Sequence, residues 1–233
     1  MPDDPPAPPD THLILFDSTP VTFANWQVLG GGAFQMVEGL IVTEPGNDLG
    51  LCYYAARPFA DFILQLQFRL ERGDENSGVW VRSRDPRRPV PDRNDPNRTH
   101  AYDNPAYVPV DTGFEIQIDE LARGNPLKGT VDGAEAHRTG AIYDVPPGPA
   151  AGQQRCARAP GLQPGTWNDY LIEVRGDRYR VELNGYQTAL FTNTDAFRGR
   201  PATRDPHSGY VGLQSHTGHV AFRNISVVIL DSC

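Results

Sequence analysis

FILQLQFRLE, residues 62–71, alternates without a break. Phe62, Leu64, Leu66, Phe68 and Leu70 fall on one side of an extended chain, and Gln65, Gln67, Arg69 and Glu71 on the other. A period of two predicts a strand with one buried face. Burying five such side chains contributes on the order of 10 kcal/mol before entropy is subtracted, at about 1.5–3 kcal/mol each.

Further strands are expected on both sides of it. Upstream they are Leu13–Phe16, Trp26–Leu29, Phe34–Val37, Leu40–Thr43 and Leu49–Tyr54. Downstream they are Ser77–Arg82, Phe114–Asp119, Gly140–Tyr143, Trp167–Arg175, Arg178–Leu183, Tyr186–Phe191, Gly209–Gln214 and His219–Leu230. Glu38-Gly39 and Gly176-Asp177 read as turns. Asn184-Gly185 is the strongest short hairpin signal, because both central positions need positive φ. The Gly-Gly-Gly run at 30–32 lacks a nucleotide-loop spacing and no helix follows it, so it reads as a turn.

Long amphipathic helical runs are missing, while Gly (23) and Pro (22) are abundant in 233 residues, as turn-rich all-β chains require. The expected fold is all-β: a two-sheet antiparallel jelly-roll sandwich spanning 13–231 as one domain, behind a Pro-rich disordered tail over 1–12. Long loops are expected at about 83–110, 121–139 and 144–166.

The net charge of −8 argues against nucleic acid or an anionic membrane surface as a partner, and says little about neutral ligands such as sugars. No stretch approaches the about 20 apolar residues of a membrane-spanning helix. The acidic, Pro-rich N-terminus does not read as a signal peptide. As it stands the chain is expected in the cytoplasm, or in the periplasm or medium if a leader has been removed. No protein partner is evident. Cys52, Cys156 and Cys233 show neither metal spacing nor a disulfide framework; they read as free thiols, with a Cys52–Cys156 bridge as the alternative.

A second alternation carries the chemistry. In DTGFEIQID, residues 111–119, Phe114, Ile116 and Ile118 form the apolar side and Glu115, Gln117 and Asp119 the polar one. A sandwich needs the first row and not the second, which reads as the wall of a site or as a solvated face. Residues i and i+4 of a strand lie about 13 Å apart. Glu115 and Asp119 are therefore too distant for an ordinary glycosidase pair, which needs about 5–9.5 Å.

The ordered motifs resemble a known family. They are Leu15-Phe16-Asp17, Trp26, Asp61–Leu64, Asn76-Ser77-Gly78-Val79 ending in Arg82, Gly113–Asp119, Thr139–Tyr143, Pro164–Asn168, Leu183-Asn184-Gly185, Gly212–His216 and Phe222–Ile225. In this order the sequence resembles the 3-keto-disaccharide hydrolase family (DUF1080), from about Leu13 to Leu230. The resemblance implies the fold of the concanavalin A-like lectins and glucanases. It also implies a carbohydrate substrate already oxidised at C3. The ketone acidifies the C2 hydrogen, so a base, an enolate stabiliser and an acid suffice for elimination of the C1 substituent, followed by hydration. A carbohydrate-binding module without chemistry is the alternative.

Under that resemblance the expected catalytic residues are Glu115, Asp119, His216 and Arg82. His216 or Asp119 would be the base, Arg82 (or a metal) the enolate stabiliser, and Glu115 the acid or a hydroxyl ligand. Gln117, Trp80, Tyr143 and Gln214 are expected to bind substrate. No cofactor is required by the sequence. A divalent metal would draw on Glu115, Asp119 and His216.

Overall fold

In the computed structural model, the described residues are 11–91, 98–124, 131–194 and 205–231. The first strands are β1 (Thr11–Phe16), β2 (Trp26–Gly30), β3 (Ala33–Val37), β4 (Leu40–Glu44), β5 (Gly50–Tyr54), β6 (Phe62–Leu70) and β7 (Ser77–Ser83). Then come β8 (Val90–Pro91), β9 (Thr99–His100), β10 (Phe114–Ile118) and β11 (Gln154–Cys156). The last are β12 (Asn168–Arg175), β13 (Arg178–Leu183), β14 (Tyr186–Thr192), β15 (Tyr210–Ser215) and β16 (Val220–Ile229). The helices α1 (Pro20–Phe23) and α2 (Val108–Thr112) are both short.

Two sheets pack face to face, with all their named strand pairs antiparallel. The larger has nine strands in the order β11-β14-β13-β12-β6-β16-β4-β3, with β1 added against β16. The smaller runs β10-β7-β15-β5-β2. β6 is central in the larger sheet, and its five inward side chains are 0–2% exposed, as the period of two requires. They meet Val79, Val81, Phe114, Ile116, Ile118 and Leu213 from the smaller sheet in one core. The Asn184-Gly185 turn has φ of 52° and 81°, the paired positive values of a tight hairpin.

Some expectations are corrected. Residues 1–10 of the expected tail lie outside the described residues, but Thr11 and His12 open β1, paired with Ile229 and Val228. The edge of β16 offers unpaired backbone groups there, and hydrogen bonding overrides the polar composition. The loops also hold structure. The 83–110 segment carries the β8–β9 pair and the start of α2, 121–139 carries a 3-10 turn at Glu135–His137, and 144–166 carries β11 at the sheet edge. The Gly140–Tyr143 strand is an edge contact rather than a full strand. Gly140 N–H donates to the Gln117 carbonyl, Gln117 N–H to Ala141 and Tyr143 N–H to Glu115.

Cys52, which is buried, and Cys156 are free thiols. Burial raises both thiol pKa values, that of Cys156 to about 11. Cys233 lies outside the described residues. No helix among the described residues is long and apolar enough to cross a membrane.

Candidate functional site

The outer face of the smaller sheet is divided in two. On one half, Leu49, Leu51, Tyr53 and Trp80 form a second apolar cluster, closed by Ala106 from the segment before α2. Asn104 staples that segment down. Its Nδ2 donates to the Leu49 carbonyl (2.9 Å) and to Asp48 Oδ2 (2.7 Å), while its Oδ1 accepts from Ala106 N–H (2.9 Å). The other half stays open as a groove of about 990 Å³, which falls at the upper end of the about 300–1,000 Å³ usual for small-molecule sites.

Strand register sets the groove floor. Glu115 lies opposite Trp80, and Gln117 opposite Gly78. On the far side of β7, Gly212 lies opposite Trp80 and Leu213 opposite Val79, and continuing that register sets Gln214 beside Gly78. Strands sit about 4.8 Å apart, so the two glutamine backbones flank Gly78 at about 10 Å. Gly78 matters by its size. A Cβ there would stand 2.2 Å from Glu115 Oε1 and 2.7 Å from its Cγ, so the Glu115 side chain lies over Gly78, between Gln117 and Gln214.

The floor is buried and polar at once. Trp80, Gln117 and Gln214 are 3%, 2% and 5% exposed, and Glu115 is 6% exposed. Trp80 Nε1, Gln117 Oε1 and Gln214 Oε1 have no hydrogen-bond partner among the described residues. Such atoms cost about 1–3 kcal/mol each when left unmade.

Tyr143 forms one wall, its backbone tied to Glu115. Its phenol pKa is pushed up to about 12, by burial first and then by the charges of Asp144, Glu115 and Asp119. His216 stands at the rim, exposed on its outer side, with Nδ1 2.8 Å from Thr217 Oγ1. Its pKa is lowered, by desolvation first and then by the Arg123 charge, with Asp119 opposing.

Of the eight expected site residues, six line this groove: Glu115, Gln117, Trp80, Tyr143, Gln214 and His216. Arg82 and Asp119 do not. Alternation along β7 would put Arg82 beside Trp80. Instead β7 bulges where its register with β15 jumps from Gly212–Trp80 to Tyr210–Ser83, and Arg82 takes φ of 57°. The guanidinium turns away and is 5% exposed, pairing with Asp61 (3.1 Å) and donating to the carbonyls of Pro206, His207 and Gly176. It ties loops together and does not line this groove.

Asp119 is fully buried just beyond the end of β10. Its carboxylate accepts from the backbone N–H groups of Leu121 and Arg123 (both 3.0 Å) and from Asn76 Nδ2 (3.1 Å), so it closes a turn. The expected metal set of Glu115, Asp119 and His216 is thereby split, and no group of three or more His, Cys, Asp or Glu side chains suited to a metal occurs among the described residues.

The groove also contains Asn76, Asp48, Tyr107, Asp111 and Asp144, which sequence reasoning missed. Asn76 precedes β7, Asp48 and Asp144 stand on loops, and Tyr107 and Asp111 stand on a 3-10 turn and the short α2, none with a period that would reveal its direction. The only signal for Asp144 was its place directly after Tyr143.

The fold and its outer-face groove define a lectin-type β-sandwich. The chain belongs to the 3-keto-alpha-glucoside-1,2-lyase-like family, whose model matches residues 13–228. Two crystal structures from Parabacteroides distasonis, described as candidate glycosyl hydrolases, share the fold. One has 17% identity and a TM-score of 0.65, covering 94% of each chain. The other has 20% identity and a TM-score of 0.62, covering 95% of this chain and 100% of that one. The lumenal domain of VIP36, bound to Ca²⁺ and Man3GlcNAc, aligns at 12% identity and a TM-score of 0.51 over 95% of this chain and 89% of its own. No curated protein sequence matches the chain.

Proposed function

We propose that this protein cleaves glycosides whose sugar is already a ketone at C3, by elimination across C1–C2 followed by hydration. The observation that carries the reading is the groove floor, where Trp80 Nε1, Gln117 Oε1 and Gln214 Oε1 are buried without a partner among the described residues, on the same floor as the buried Glu115. A polyhydroxylated ligand supplies both donors and acceptors to such a floor. Family membership points to the C3 ketone.

The chemistry follows from the groups present. The C3 ketone makes the C2 hydrogen acidic. His216, held below the usual imidazole pKa, is neutral near pH 7 and takes that proton. The enolate oxygen needs donors, which Arg82 does not provide. The Trp80 indole N–H and the Tyr143 hydroxyl, still protonated with a pKa near 12, take that part. Glu115, Gln117 and Gln214 hold the sugar hydroxyls. The electrons of the enolate then expel the C1 oxygen, which leaves with a proton, and water adds to the resulting double bond.

Incubation with 3-keto-trehalose or 3-keto-lactose in D₂O tests the reading. The expected result is release of a monosaccharide, with deuterium at C2 of the keto sugar. Saturable binding without release would instead assign the groove to a lectin-like module.

A further inference from the structure

The reaction above requires a proton for the departing oxygen, and the groove wall holds a group suited to deliver it. His137 is 2% exposed, and both ring nitrogens meet acceptors. Its Nδ1 lies 3.0 Å from the Arg123 carbonyl oxygen and its Nε2 2.9 Å from Asp144 Oδ1. A carbonyl oxygen only accepts, so Nδ1 carries a hydrogen. A neutral imidazole carries one hydrogen in total. The Nε2–Asp144 contact therefore needs a second proton, either on Nε2 or on the Asp144 carboxyl. In both cases the pair stores one proton more than a neutral ring and a carboxylate.

The pair is fixed at the site. Tyr143, a groove wall, stacks on the His137 ring with centroids 4.6 Å apart and planes 22° from parallel. Asp144 itself lines the groove, and its side chain is 26% exposed while that of His137 is 2% exposed. Asp144 takes φ of 61°, a left-handed turn that few residues other than glycine adopt. Asp144 and Glu115 both line the groove next to Tyr143, whose N–H donates to the Glu115 carbonyl.

We infer that Asp144, supplied through His137, is the general acid that protonates the departing glycosidic oxygen. This rests on the elimination reading. As the C1–O bond breaks, its electron pair goes to the oxygen. That oxygen takes the proton from Asp144, and the His137–Asp144 pair is left one proton short. The proton removed from C2 sits on His216. Hydration and exchange with water restore both groups, and no oxidant or reductant enters.

The test compares leaving groups. A 3-keto-glucoside of nitrophenol needs little acid assistance, whereas one with a sugar as leaving group needs much. For Asp144→Asn the rate on the sugar substrate should fall at least ~100-fold, the usual scale for a general acid. The loss on the nitrophenyl substrate should be at least ~10-fold smaller. His137→Gln should show the same imbalance more weakly, and Asp144→Glu should recover part of it. Melting curves and substrate-analogue affinity close to wild type would show that the fold is kept. Equal losses on both substrates, or no loss on either, overturn the assignment. A wild-type protein that cleaves neither substrate overturns the elimination reading itself.

Discussion

On the outer face of the larger sheet, Gln67 donates to Asp169 and accepts from Arg223 and Asn224, Arg69 pairs with Glu71, and Arg180 pairs with Glu173. On the outer face of the smaller sheet, Gln117 and Gln214 each keep a buried carbonyl oxygen without a partner among the described residues, beside a buried Glu115. Both faces come from the same alternation of apolar and polar residues. One spends its polar groups on itself and stands in water. The other is walled by Tyr143 and Tyr107, so the carbonyl oxygens of Gln117 and Gln214 lose water without gaining a partner among the described residues. Satisfaction and burial, and not the alternation, distinguish a structural polar face from a ligand-binding one.

The largest expected effect is on stability and tests the transfer of Arg82 from groove to scaffold. Arg82→Met leaves Asp61 without its cation and should cost about 3 kcal/mol, lowering Tm by roughly 6–12 °C in calorimetry. Turnover per folded molecule should stay within about threefold, since no transition-state contact is lost. A large specific loss of turnover would return Arg82 to the site.

Next comes the groove floor. Glu115→Gln should lower kcat/KM for a 3-keto-glucoside roughly 10–100-fold with little change in Tm, the scale of a lost hydrogen bond to a charged group. A near-normal value would remove Glu115 from the substrate contacts. Gly78→Ala should act more mildly, because its Cβ collides only with the movable end of Glu115. A loss of roughly tenfold in kcat/KM is expected from the displaced carboxylate, and a wild-type value would mean that its position over Gly78 is irrelevant.

The pH profile sharpens the role of the rim. Lowering the His216 pKa widens the range in which the ring is neutral. The acid limb of kcat/KM should therefore lie below the ordinary imidazole value of about 6.5, and it should vanish in His216→Ala. The smallest effect should come from the other face. Gln67→Ala breaks exposed or half-buried hydrogen bonds and should change turnover less than about twofold, at a cost near 1 kcal/mol.

Much of the fold was legible in the order of residues. β6 is fixed by its five alternating apolar side chains, and the hairpin at Asn184 by backbone geometry that few residues tolerate. Six site residues were legible because they stand on strands, or beside them, where direction follows from position. Arg82 was misread because one bulge reverses that parity, and Asp119 because β10 ends at Ile118 and the next carboxylate falls into a turn. Asp144 and Asp48 stand on loops and Asp111 on the short α2, where no repeating period fixes side-chain direction.

The sequence by itself thus determined most of the strands, their buried faces and the family, since each depends on local periodicity or on motifs in order. Only the tertiary structure decided which polar row becomes a site. That depends on what folds over each sheet face, and the walls beside Glu115, Gln117 and Gln214 come from other segments, such as Tyr107 and Tyr143–Asp144. Desolvation is a property of the assembled neighbourhood, and no single stretch of residues carries it.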